Sequence, residues 1–155
     1  MEFTAREDID VPIEQTFEML VDFERFERMA LRHGAEVTRL DTLSRPGIGA
    51  QWQIGFVFRG KKREANLKVT GFDRPNEIVL HADLSSLHAD IKVELVALSR
   101  TRTRLSIWSG LSATTLSGRL LLQSLKLARG SLTTRLDKRI TSFGRTLEER
   151  YTNIA

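Results

Sequence analysis

Apolar and charged positions alternate from Glu2 to Val11. Phe3, Ala5, Ile9 and Val11 fall on one face at period two, with Glu7 among them, and Glu2, Thr4, Arg6, Asp8 and Asp10 fall on the other. This pattern predicts a half-buried strand. Pro12 stops the ladder and suits a first helical turn, where its missing N–H costs nothing. Ile13, Phe17, Leu20 and Val21 then recur at helical spacing. Asp22 begins a second short helical piece in which Phe23, Phe26 and Met29 face inward, and Gly34 ends it.

From Ala35 to Ala113 the period returns to two, over segments 35–43, 49–59, 62–73, 77–84, 87–98 and 103–113. Arg45-Pro46-Gly47-Ile48-Gly49 reads as a loop. Gly60-Lys61 suits a two-residue II′ hairpin, and Asp73-Arg74-Pro75-Asn76 a turn. Ser85-Ser86 and Arg100-Thr101-Arg102 mark the remaining reversals. Each strand has one apolar face: Trp52, Ile54, Phe56 and Phe58 oppose Gln51, Gln53 and Arg59, and Ala65, Leu67 and Val69 oppose Glu64, Asn66 and Lys68. Ile78, Leu80, Ala82 and Leu84 continue this face into Ala89, Ile91, Val93 and Leu95, and Leu105, Ile107, Ser109 and Leu111 complete it. One dry and one wet face predict an antiparallel sheet covered on a single side. The cover is Thr114 to about Tyr151, read as one long amphipathic helix in which Leu125, Ala128, Leu132, Leu136, Ile140, Phe143, Leu147 and Tyr151 face the sheet. Gly130 and Gly144 weaken it locally, with a bend expected at Gly130.

Composition narrows the reading. The chain has 155 residues, 41% apolar and 28% charged, which argues against disorder and fits a single domain spanning 1–155. The absence of cysteine excludes disulfides, thiolate metal sites and a Cys nucleophile. No apolar run reaches the roughly 20 residues of a transmembrane helix. The first residues alternate rather than forming a signal-peptide core, so a cytoplasmic location is expected. Net charge is +4 but uneven: residues 100–155 hold eleven Lys/Arg against three Asp/Glu, and residues 1–99 hold thirteen against seventeen. A basic C-terminal third suits an anionic partner, or merely a solvated helix face.

The order of elements, with particular residues, resembles the SRPBCC superfamily, the START and polyketide-cyclase-like proteins. Ile9-Asp10-Val11-Pro12-Ile13-Glu14-Gln15-Thr16-Phe17 looks like that superfamily's passage from first strand to first helix, and Leu20-Val21-Asp22-Phe23 its inter-helix step. Pro46-Gly47-Ile48-Gly49, Phe72-Asp73-Arg74-Pro75-Asn76-Glu77-Ile78 and Thr101-Arg102-Thr103-Arg104-Leu105 fall where its strand junctions lie. The aromatic pair after the inter-helix aspartate, usually containing Trp, is Phe23 and Phe26 here, and the last hairpin lacks the usual glycine. No subfamily signature is present. The resemblance implies an α+β helix-grip fold, a seven-stranded curved antiparallel sheet wrapped around a long C-terminal helix. It also implies a cavity between sheet and helix. The inward residues expected at such a cavity are Glu7, Trp52, Ile54, Phe56, Phe58, Leu67, Leu80, Ala82, Ile107, Ser109, Leu125 and Leu132. A core closed by its own bulky side chains is the alternative.

Candidate chemistry is sparse. Glu7 is a carboxylate on an otherwise apolar strand face, either a paired acid or base or an edge residue reaching water or arginine. Ser109 is either a pocket polar group or a small residue making room. His33 sits at a helix end, where a cationic ring suits the dipole. With Ser85-Ser86 as the turn, Asp83 faces His88 and His81 faces Asp90, a set that could in principle hold Zn²⁺ or another divalent ion. The opposite face of both strands is uniformly apolar, so the set is expected on the solvent side as two cross-strand ion pairs, with no catalytic metal. No serine has a placed His partner, and no phosphate-cradling loop or nucleophile elbow occurs. The basic helix offers charge without stacking aromatics, and Trp108 alone on the wet face does not make a nucleic-acid site. What remains, with the resemblance, is an apolar small-molecule ligand (a lipid, a quinone or a polyketide-like ring), with no cofactor. The alternatives are a cyclase/aromatase-type enzyme and an interaction protein using the basic helix.

Overall fold

The computed structural model describes residues 1–154. In chain order the elements are β1 (Glu2–Ile9), α1 (Ile13–Leu20), α2 (Phe23–Arg32), β2 (Glu36–Arg39), β3 (Gln51–Phe58), β4 (Lys61–Asp73), β5 (Glu77–Leu84), β6 (Leu87–Ala97), β7 (Thr103–Ala113), α3 (Leu116–Leu127) and α4 (Arg129–Ile154). The seven strands form one curved antiparallel sheet in the order β1-β7-β6-β5-β4-β3-β2, so the first strand joins the last.

The expected dry face is continuous across the ladder. Trp52, Leu67, Ala82, Ala89 and Leu111 pair in one row, and Phe72, Ile78, Val93, Ile107 and Ala5 in another. A bulge in β4 between Val69 and Gly71 keeps this alternation in step while bending the strand. A Cβ on Gly71 would lie 2.9 Å from the Val79 side chain, so the close approach at the bulge needs glycine. Core residues Ile9, Val11, Phe17, Leu105, Ile140 and Leu147 pack where β1, α1, β7 and α4 meet.

Three local expectations are corrected. The β3–β4 hairpin turns at Arg59-Gly60, both at positive φ (52° and 75°), because Phe58 pairs with Lys61. Two left-handed loop residues make a I′ turn instead of the II′ turn at Gly60-Lys61. The second strand ends at Arg39 instead of reaching residue 43, because the Asp41 side chain accepts the backbone N–H groups of Leu43 and Gln51. The C-terminal segment is two helices. Thr115 caps α3, its hydroxyl accepting from Gly118 N–H at 3.0 Å, and the break falls at Ala128 rather than Gly130. The cause is tertiary: α3 packs on β7 and α4 on β1, so the two helices follow different strands. Among the described residues no helix is long and apolar enough to cross a membrane.

Candidate functional site: a cavity under the second helix

A cavity of about 310 Å³ opens inside the concave face of the sheet. Its floor is the inward row of the central strands, including Leu67, Leu80, Val93 and Ile107. Its roof is α2, which contributes Phe23, Phe26, Glu27 and Ala30, and Phe143 is the residue α4 adds. None of α2 is fully buried. A helix with a markedly amphipathic sequence thus lays its apolar stripe over space instead of packed core.

The aromatic wall is built by stacking. Trp52 is 6% exposed and meets Phe23 edge to face, with centroids 5.0 Å apart, while Phe26 leans on Phe143 at 5.9 Å. The Arg39 guanidinium lies 4.9 Å from the Trp52 ring centroid and 5.7 Å from that of Phe23. It is held by a two-pronged pair with Asp41. Arg39, followed by the Gln51 and Leu43 N–H groups, holds the Asp41 carboxyl far below the usual carboxylate range, against the opposing effect of its burial. Arg39 is raised in turn, chiefly by Asp41.

Among the described residues, Glu27 is the one ionisable side chain of the cavity wall. Its Oε2 is buried without a hydrogen bond among the described residues and lies 3.6 Å from Arg39 Nη1. Trp52 Nε1 is likewise buried and unpaired. Sequence reasoning missed Glu27, although Phe23, Phe26, Glu27 and Ala30 follow the i, i+3, i+4, i+7 spacing of one helical face. Met29, expected inward, is 44% exposed.

Of the residues expected at a cavity, Trp52, Ile54, Leu67, Leu80 and Ile107 lie on its wall. The others lie off it. Phe56 and Phe58 sit toward the hairpin tip, where β3 runs past the roof, and Phe58 is 40% exposed. Ala82 is buried within the sheet row beside Leu67, and Ser109 pairs with Ile91 and Phe3, nearer β1 than the roof. Leu125 and Leu132 are half-buried on α3 and α4, because α2 and not the C-terminal segment covers the opening. Glu7 lies under α4, where Thr141 Oγ1 donates to its Oε2 at 3.1 Å and Gly144 approaches it closely.

On the opposite face of the sheet, His81, Asp83, His88 and Asp90 take the expected register. They form a linked chain instead of two separate pairs. His81 donates to Asp90 at 2.8 Å and to Asp83 at 2.9 Å, and His88 donates to the same Asp83 oxygen at 2.6 Å. Carboxylate oxygens only accept, so donation from both ring nitrogens requires the His81 imidazolium. Its pKa is raised accordingly, with Asp90 the largest cause, and that of Asp83 is lowered by His88 and then His81. These donors face away from the cavity. Trp108 shares that outer face, paired with Thr4 and Lys92.

Solved structures with the same arrangement are numerous. The Zhui aromatase/cyclase of Streptomyces sp. R1128 superposes with a TM-score of 0.70 at 13% identity, covering 97% of this chain and 95% of that one. A Thermus thermophilus protein gives 0.62 at 18% identity over 100% and 99%. A START superfamily protein of Mycobacterium smegmatis gives 0.57 at 13% over 86% and 95%. The fold is the helix-grip fold that these structures share. At such identities the likeness is one of fold. No protein-family model and no curated protein matches the sequence. Within this fold, then, the particular chemistry rests on this chain's own cavity.

Proposed function

We propose that the protein binds an apolar small molecule (a lipid chain, a quinone or a polyketide-like ring) in the cavity beneath α2. The observation that carries this reading is the cavity itself, about 310 Å³ walled by aliphatic and aromatic side chains with a single carboxylate. Ligand sites run from roughly 300 to 1,000 Å³, so this one favours a single chain or compact ring over a two-chain lipid. Burying apolar ligand surface gains on the order of 25 cal/mol per Å² before ordering costs. α2 would give way at entry, since it contributes no fully buried residue. Native mass spectrometry of the protein as purified tests the reading directly. Retention of an apolar molecule, lost on denaturation, supports it. Failure of fatty acids, fatty alcohols, quinones and aromatic polyketide mimics to bind in titrations would remove it.

Glu27 favours a second reading, a cyclase/aromatase-type enzyme in which the cavity folds a reactive chain and the carboxylate moves a proton. Glu27→Gln separates the two. It would leave binding of a plain hydrocarbon probe in place under both readings and abolish turnover under the second.

A further inference from the structure

The α3 helix is apolar on both sides. Inward it presents Gly118, Leu121, Leu122 and Leu125; outward, Leu116, Leu120 and Leu127 are 73%, 59% and 92% exposed. At 3.6 residues per turn the three outer leucines fall within about 40° of arc. Exposed Gln123 interrupts the row between Leu120 and Leu127. Even so, surface helices of globular proteins ordinarily turn a polar face to water, and large exposed apolar side chains grouped on one mark an interaction site.

The surroundings of the stripe are basic. Arg119 and Lys126 lie along one edge of it, and residues 95–136 contain no Asp or Glu. The β3–β4 hairpin tip lies against the helix, with Arg59 Nη1 donating to Ser124 Oγ at 2.9 Å. That tip adds Val57, 69% exposed, and Phe58, with Lys61 and Lys62 exposed beside them. The Arg59 and Arg63 guanidiniums lie 5.4 and 5.6 Å from the Phe58 ring centroid. The acid on this hairpin, Glu64, accepts from Gln53.

We propose that this end of the molecule docks on an anionic phospholipid surface. The α3 leucines and the Val57-Phe58 tip enter the acyl boundary, and Arg119, Lys126, Lys61 and Lys62 meet the headgroup phosphates. Apolar side chains rimmed by Lys and Arg are the composition of an interfacial helix, and juxtaposed basic residues add attraction to anionic lipid. A second copy of the chain fits less well, since α3 carries no acidic group to answer the Arg119 and Lys126 of a partner. The proposal is independent of what fills the cavity.

The test is co-sedimentation with vesicles of equal parts phosphatidylcholine and phosphatidylserine, against vesicles of phosphatidylcholine alone. Binding to the mixed vesicles is expected to exceed that to the neutral ones by about tenfold or more and to fall with added salt. Leu120→Ser with Leu127→Ser, and separately Lys62→Glu with Lys126→Glu, should each reduce it by about tenfold or more. All four positions are exposed, so circular dichroism should show an unchanged fold. Arg100→Glu, in the β6–β7 turn at the other end of the sheet, should leave binding unchanged. Equal sedimentation with both vesicle types, or undiminished binding by the leucine pair, would overturn the proposal. So would a concentration-dependent dimer, dissolved by Leu127→Ser, in a protein that ignores both vesicles.

Discussion

The Asp41 carboxylate accepts from the Arg39 guanidinium and from the backbone N–H groups of Leu43 and Gln51, so it both ends β2 and fixes the cation over Trp52. Removing it leaves four N–H donors, two of them on Arg39, short of a partner at once. Asp41→Ala is therefore expected to cost about 1–3 kcal/mol in chemical denaturation. The folded-state pKa of Asp41 is depressed, so its contribution is present above the ordinary 3.8 and is lost as pH falls through the folded value. The stability gap between wild type and Asp41→Asn should hold near neutrality and close progressively in acid below about 4. His81 works in the opposite sense. Its folded pKa is raised above the ordinary 6.5, so its contribution is complete below that value and is lost as pH rises through the folded pKa. His81→Gln should be less stable than wild type at pH about 5.5, with the difference narrowing toward pH 9. A pH-independent difference would show that the Asp83 and Asp90 bonds are not those of an imidazolium. Residues of this kind were partly legible in the sequence. Period two and a two-residue turn dictate the His81–Asp90 register, but the second bond, His81 to Asp83, depends on side-chain rotation that spacing does not encode. Glu27 escaped because a glutamate on a short charged helix reads as solvated until the space beneath that helix is known.

At the scale of elements, the strands were legible because one buried face imposes a strict alternation, and a one-residue slip would turn a whole strand over. The C-terminal break was not. Ala128 is a good helix former, and the expected bend at Gly130 followed propensity, whereas packing on two different strands decided the matter. The glycines separate these influences. A Cβ on Gly130 would meet nothing within 4 Å, so Gly130→Ala should stabilise α4 by about 0.4–1 kcal/mol through the ordinary helix preference. A Cβ on Gly118 would lie 2.1 Å from the Ser86 carbonyl oxygen, where the β5–β6 turn presses on α3. Gly118→Ala should accordingly destabilise by about 1–3 kcal/mol despite the same gain in propensity. Opposite signs in thermal melts are the expected result, and two gains would mean that α3 does not rest on the turn. On α4, Ile140 is 3% exposed, so Ile140→Ala should cost about 2–5 kcal/mol.

For the whole molecule, the question left open by the residues was whether the aromatic face of the sheet closes into a solid core. The answer depends on how α2 sits, and no local pattern sets the distance between a helix and a sheet. Trp52 is 6% exposed on the cavity wall and Trp108 lies on the outer face, so a ligand taken up beneath α2 should change the emission of Trp52 far more than that of Trp108. Single-tryptophan variants, Trp108→Phe and Trp52→Phe, read the two sites separately. A filling substitution tests the space itself. Val93 stands on the cavity floor in the row with Ile78 and Ile107, half-buried with open volume above it. In a close-packed core the added bulk of Val93→Phe would force neighbours off their rotamers and cost about 1–3 kcal/mol. In a cavity of about 310 Å³ the ring has room, makes new contacts with the roof, and should leave stability unchanged or higher. The same ring occupies the volume a ligand needs, so the variant should keep its fold and lose its ligand. A variant that melts well below wild type would identify the interior as already full; one that stays stable and still binds would move the ligand site elsewhere.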